Sequence, residues 1–109
     1  MNITILESLH NTPGISFHNS TIRASVNELI EVLGKPSSRT NDDQEKVNFV
    51  WNCKPDDGDV FTIYDCKEYK SISTDEQIEW HIGGYSKYQT ENADDMVELL
   101  LNKSRLNKL

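Results

Sequence analysis

Val47-Asn48-Phe49-Val50-Trp51-Asn52-Cys53-Lys54-Pro55-Asp56-Asp57-Gly58-Asp59-Val60-Phe61-Thr62-Ile63-Tyr64-Asp65 is the stretch on which the fold turns. Val47, Phe49, Trp51 and Cys53 alternate with Asn48, Val50 and Asn52, the period of two that sends successive side chains to opposite faces of a strand. Residues 54 to 59 are turn formers, so a hairpin into Val60–Asp65 is expected. Apolar side chains on both faces of that second run give it a central position. The alternation returns in Gln77–Ile82, with Ile78, Trp80 and Ile82 on one face and Glu79 and His81 on the other, and Gly83-Gly84 is expected to end the strand. A meander of antiparallel strands follows.

Upstream, Val26, Leu29, Ile30 and Leu33 keep the spacing that aligns apolar groups on one side of a helix. Ser25 and Glu28 have the spacing of a capping box, and Gly34 with Pro36 stops the helix, which is expected over 26–33. Ile3 and Ile5 form a short candidate strand, and Ile15 and Phe17 start another extended piece. A polar loop is expected over 37–44. Downstream, Ala93, Met96, Val97, Leu100 and Leu101 predict a helix over 93–103 with Asn92 as its N-cap. The expected fold class is α+β: one domain over 1–109, its core at about 20–103, with an antiparallel sheet of three to five strands packed by two helices. Residues 1–19 read as a short extension and 104–109 as a basic tail.

A chain of 109 residues buries roughly two thirds of the surface its unfolded form exposes, enough for one core and too little for a multidomain enzyme. No apolar run reaches the ~20 residues of a membrane span, and the N-terminus lacks the pattern of a signal peptide, so a soluble, cytoplasmic protein is expected. The net charge is -7, which argues against affinity for nucleic acid backbones. That charge is uneven: residues 1–40 are neutral, the segment 41–100 holds fifteen acids against five bases, a net -10, and the tail is basic. The acids cluster at Asp42, Asp43 and Glu45, at Asp56, Asp57 and Asp59, at Asp75, Glu76 and Glu79, and at Glu91, Asp94 and Asp95. Solvation of loops explains the first three, and the positive end of a starting helix explains the last. The alternative is an acidic surface that imitates a phosphate backbone.

The cysteines do not form a disulfide in this register, because Cys53 and Cys66 lie at opposite ends of the hairpin, roughly 20 Å apart along the strands. His10, His18 and His81 fall on separate elements without metal-ligand spacing, so no metal is expected. No cofactor is expected either. No nucleophile, base and orienting group share a local signature, and catalysis is not expected.

Trp80-His81-Ile82-Gly83-Gly84-Tyr85-Ser86-Lys87 is the most unusual segment. Paired glycines allow close backbone approach, as in anion sites, and the aromatic rings beside them are suited to stacking on a base. On spacing alone the plainer reading is stronger: a core Trp80, a Gly83-Gly84 turn and a solvent-facing His81.

Thr21–Ser25, Glu28–Pro36, Val60–Glu68 and Glu79–Gly84, with their Leu-Gly-x-Pro, Thr-Ile-Tyr-Asp and Trp-His-Ile-Gly-Gly motifs, resemble a mostly uncharacterised family of small bacteriophage proteins over about residues 20–100. Leu33 stands where many members carry Phe, and the 54–59 loop is longer and more acidic. The helix ending in Leu-Gly-x-Pro before a Trp strand also looks like the helix-then-meander unit of β-lactamase-inhibitor folds. The phage resemblance implies a small protein that counters host defence. One mechanism sequesters a nucleotide immune signal in a pocket of Tyr64, Lys67, Trp80, His81, Gly83, Gly84, Tyr85 and Lys87. The other blocks a basic, nucleic-acid-binding CRISPR or restriction effector through Asp42, Asp43, Asp56, Asp57, Asp59, Asp75 and Glu76. The partners expected are therefore a nucleotide or a host protein, without direct nucleic acid or membrane contact, and a homo-oligomer is left open.

Overall fold

The computed structural model describes residues 3–6, 17–39, 49–56, 58–65 and 74–108. They form, in chain order, β1 (Ile3–Leu6), β2 (Phe17–Ala24), α1 (Val26–Leu33), β3 (Ser38–Arg39), β4 (Phe49–Pro55), β5 (Phe61–Asp65), β6 (Ile78–Gly84) and α2 (Lys87–Leu106). The sheet is antiparallel, in the order β1-β4-β5-β6-β2, with the two-residue β3 pairing with β4 as well. The five strands in a row are at the upper end of the expected range. With two helices packed on them they make an α+β domain.

The hairpin that decided the reading forms with Cys53 opposite Phe61 and Trp51 opposite Ile63. Its alternation sorts the side chains: Phe49, Trp51 and Cys53 lie in the core with Phe61, Ile63, Ile78, Trp80 and Ile82. Val26, Leu29 and Leu33 of α1 and Ala93, Val97 and Leu101 of α2 complete that core, so both helices cover one face of the sheet. Trp51 and Trp80 meet edge to face, with centroids 5.3 Å apart, the arrangement that ring quadrupoles favour. A buried indole N–H needs an acceptor, and each finds one at an end of α1. Trp80 Nε1–H donates to the Ala24 carbonyl at 2.8 Å and Trp51 Nε1–H to the Gly34 carbonyl at 2.9 Å.

Helix α1 keeps the expected bounds, and both halves of its capping box are made by Ser25 and Glu28. Gly34 ends it at a φ of 92°, a backbone region that side chains with a Cβ rarely enter. Ile30, expected on the buried stripe, is 37% exposed, because the stripe centres on Val26, Leu29 and Leu33.

Other expectations need correction. The first nineteen residues are not only an extension: β1 pairs with β4, and β2 starts at Phe17. Part of the expected 37–44 loop, Ser38–Arg39, pairs with β4. Helix α2 starts six residues before the expected Ala93, capped by Ser86, whose hydroxyl accepts from the Gln89 N–H at 3.1 Å. It also continues to Leu106, so Arg105 is helical. Cys53 is buried as a free thiol, and burial raises its pKa far above the ordinary thiol range. Cys66 lies outside the described residues.

Candidate functional site

Of the eight residues of the expected nucleotide pocket, the seven that are described are divided among different surroundings. Trp80 is fully buried on the core face, among Phe49, Trp51 and the helices, and offers no ring to a ligand. His81, its neighbour in β6, points to the other face, where it stacks on Tyr64 with centroids 5.8 Å apart and planes 25° from parallel. The two are directly opposite in register, as are Val50 and Tyr64, and Thr21 and His81. This row crosses the sheet away from the helices.

Gly83 and Gly84 are inside β6 instead of forming a turn after it, and both are buried. Gly83 is opposite Thr62 of β5, and Gly84 is opposite Phe17 of β2. Glycine at 84 answers a packing demand. A Cβ there would lie 2.8 Å from Gln89 Oε1 and 2.9 Å from Thr90 Cγ2, inside van der Waals contact. Tyr85 and Lys87 belong to the entry into α2, and Lys87 is exposed. Lys67 lies outside the described residues.

Gln89 is the centre of that entry, and its role had no signal in the sequence. Its Oε1 accepts the Tyr85 N–H at 2.5 Å, and its Nε2 donates to the carbonyls of Asp59 at 3.1 Å and Val60 at 2.8 Å. One side chain thus ties the first turn of α2 to the β4–β5 connection. Lys54 folds back on the same connection, donating to the Pro55 and Gly58 carbonyls. Between α2 and this connection is a cavity of about 290 Å³ lined by Pro55, Phe61, Tyr88, Asn92, Ala93 and Met96, with Asp59 also on its wall.

Of the acids expected to form one partner surface, the described ones, Asp56, Asp59, Asp75 and Glu76, do not share a site. Asp56 and Asp59 stand at the β4–β5 connection, beside the C-terminal end of β6. Asp75 and Glu76 precede its N-terminal end, and the seven residues of β6 separate the two groups, roughly 20 Å of strand. Asp75 has a structural task as well, accepting from Asn27 Nδ2 at 2.6 Å. Asp42, Asp43 and Asp57 lie outside the described residues.

A different acidic surface takes their place. Because α2 starts at Lys87, Glu91, Asp94 and Asp95 are in its second and third turns, beyond the reach of the N-terminal dipole that was to explain them. With Glu98 they occupy one flank of the helix, at the spacing of adjacent turns. Burial, Glu98 and Asp95 together push the Asp94 carboxyl above its ordinary pKa, and its Oδ1 is buried without a hydrogen-bond partner among the described residues. Glu98 was missed by the sequence reading; its i+3 and i+4 relation to Asp95 and Asp94 is the signal, legible once the helix start is known.

Among the described residues no group of three or more His, Cys, Asp and Glu is placed to hold a metal ion, and no helix is long and apolar enough to cross a membrane. No protein-family model, curated protein or solved structure matches the chain.

Proposed function

We propose that the chain is a phage-encoded anti-defence protein without catalytic activity, which blocks a basic, nucleic-acid-binding host effector such as a CRISPR or restriction component. The observation that carries this reading is the acidic flank of α2. Glu91, Asp95 and Glu98 are exposed within two turns with the half-buried Asp94 beside them, and neither capping nor an ion pair among the described residues accounts for them. Burial first, and then the charges of Glu98 and Asp95, hold the Asp94 carboxyl above its ordinary range; the repulsive part of that cost is one that a basic partner would relieve. The phage context rests on the motif resemblance over about residues 20–100.

The test is competition. The protein is expected to displace duplex DNA from a responsive CRISPR or restriction effector, with an affinity that falls steeply as salt rises. Replacing Glu91 and Asp95 together by Lys is expected to abolish displacement. Salt-insensitive displacement, or displacement that survives the double reversal, overturns the reading.

Sequestration of a nucleotide signal is the second reading, favoured by the half-buried Tyr64–His81 stack on the face away from the helices. Thermal stabilisation by a cyclic di- or trinucleotide or an ADP-ribose derivative, lost on Tyr64→Ala, selects it over blockade.

A further inference from the structure

The cavity of about 290 Å³ between α2 and the β4–β5 connection is apolar inside and polar at its edge. The buried Pro55 and Phe61 and the half-buried Met96 make its floor, while the exposed Asp59, Asn92 and Tyr88 stand around its mouth. Its two walls are tied together, because Gln89 Nε2 donates to the Asp59 and Val60 carbonyls. The volume is at the lower end of the roughly 300–1,000 Å³ of small-molecule sites, which suits one ring with a short chain. The charge at the mouth has one sign. Asp59 makes no ion pair among the described residues, and Asp95, one turn beyond Asn92 on α2, adds a second carboxylate nearby. The neighbouring cations are turned elsewhere. Lys54 alternates with the core residue Cys53, so it reaches the Pro55 and Gly58 carbonyls from the face of the sheet away from α2. Lys87 is on the side of the helix opposite Met96, at about 100° per residue.

We infer that this cavity binds a small organic amine, a primary ammonium carried on an apolar body. The body enters first and covers Phe61, Pro55 and the Met96 thioether, which fit an aromatic or alkyl group. The ammonium stays at the mouth, where it donates to the Asp59 carboxylate and the Asn92 side-chain oxygen in charge-assisted hydrogen bonds. Tyr88 supplies a ring face to the same cation, which gives this exposed aromatic side chain a task. A phosphate or carboxylate in that position meets Asp59 and Asp95 without a free cation to hold it, so the site discriminates by charge. The inference does not depend on the function proposed above.

Titration of the full chain, labelled with nitrogen-15, by three probes of one shape tests it: 2-phenylethylamine, 2-phenylethanol and 3-phenylpropionate. The amine is expected to shift the amide signals of Gly58, Tyr88, Asn92 and Met96 with a dissociation constant on the order of 1 mM or below. The alcohol is expected to bind roughly tenfold more weakly and the acid more weakly still. Asp59→Asn, at an exposed position, is expected to leave the thermal midpoint unchanged and to abolish the preference for amine over alcohol. Tyr88→Ala is expected to weaken the amine severalfold. The dipeptide Phe-Gly presents the same body beside a peptide N-terminus, and tighter binding of it than of the amine would assign the cavity to a peptide instead. That result, the absence of shifts at the cavity, an alcohol bound as tightly as the amine, or a preference that survives Asp59→Asn overturns the inference.

Discussion

At the scale of single residues, the two tryptophans are core residues whose polar atoms hold α1 at both ends. Trp80 combines complete burial, an edge-to-face contact with Trp51 and a hydrogen bond to Ala24. Trp80→Phe keeps a ring in the core but removes the donor and leaves a space where the indole's second ring was. The expected loss is about 2 kcal/mol, measured by urea denaturation followed by far-UV circular dichroism. If the variant lost affinity for a nucleotide while keeping its stability, Trp80 would be a ligand residue and its place in the core would be refuted. Nothing in the local sequence distinguishes these roles, because alternation assigns Trp80 to a face without saying which face the helices cover. His81 shows the same limit from the other side: its pairing with Tyr64 follows from the β5–β6 register, and the residues between those strands carry no turn signal that fixes it.

Elements were legible where their signals were local. Ser25, Glu28 and Gly34 bracket α1 within a few residues, and the hairpin is specified by two alternating runs around a turn. The start of α2 was hidden because its buried stripe opens with Thr90, a polar residue type that is nonetheless fully buried, its hydroxyl donating to the Lys87 carbonyl at 2.9 Å. Counting from the first apolar member, Ala93, makes Asn92 look like a cap and the following acids look like dipole partners. With the true start at Lys87, those acids oppose one another instead, which leads to a prediction for the helix. Asp94→Asn is expected to stabilise the protein at neutral pH by about 0.5 kcal/mol, the size of a like-charge contact on a helix. The Asp94 pKa is raised on folding, so ionisation is harder in the native state than in the unfolded chain. The gain is therefore full above the folded pKa and vanishes as pH falls below the ordinary value of 3.8. Thermal melts of both proteins from neutral to acid pH check it, and a gap that widens on acidification contradicts the assignment.

At the scale of the whole molecule, one carboxylate joins four elements. Glu28, in the first turn of α1, accepts from Arg105 Nε near the end of α2 at 2.6 Å, from the Ser25 N–H at 3.0 Å, and from Gln77 Nε2 just before β6. Arg105 also donates to the Arg23 carbonyl in β2 at 3.0 Å. The pair is 77 residues apart in the chain, which is why Arg105 read as part of a basic tail: a contact of this separation exists only once the sheet has set α1 beside the end of α2. The Arg105 bond leads the causes that pull the Glu28 pKa down from 4.5 to about 2. A depressed carboxylate stabilises the fold fully above its unfolded pKa and loses that contribution as pH drops through the folded one. The window is thus pH 4.5 to about 2. Glu28→Gln is the informative variant, since glutamine still serves a capping box and only the charge is removed. Arg105 is 40% exposed, and solvent screening holds the expected loss at neutral pH to about 1–2 kcal/mol. On acidification the wild type is expected to approach the variant, the two curves meeting near the bottom of the window. A gap that stays constant down to that point would mean that Glu28 acts through shape alone, and the electrostatic clasp between α1 and α2 would have to be given up.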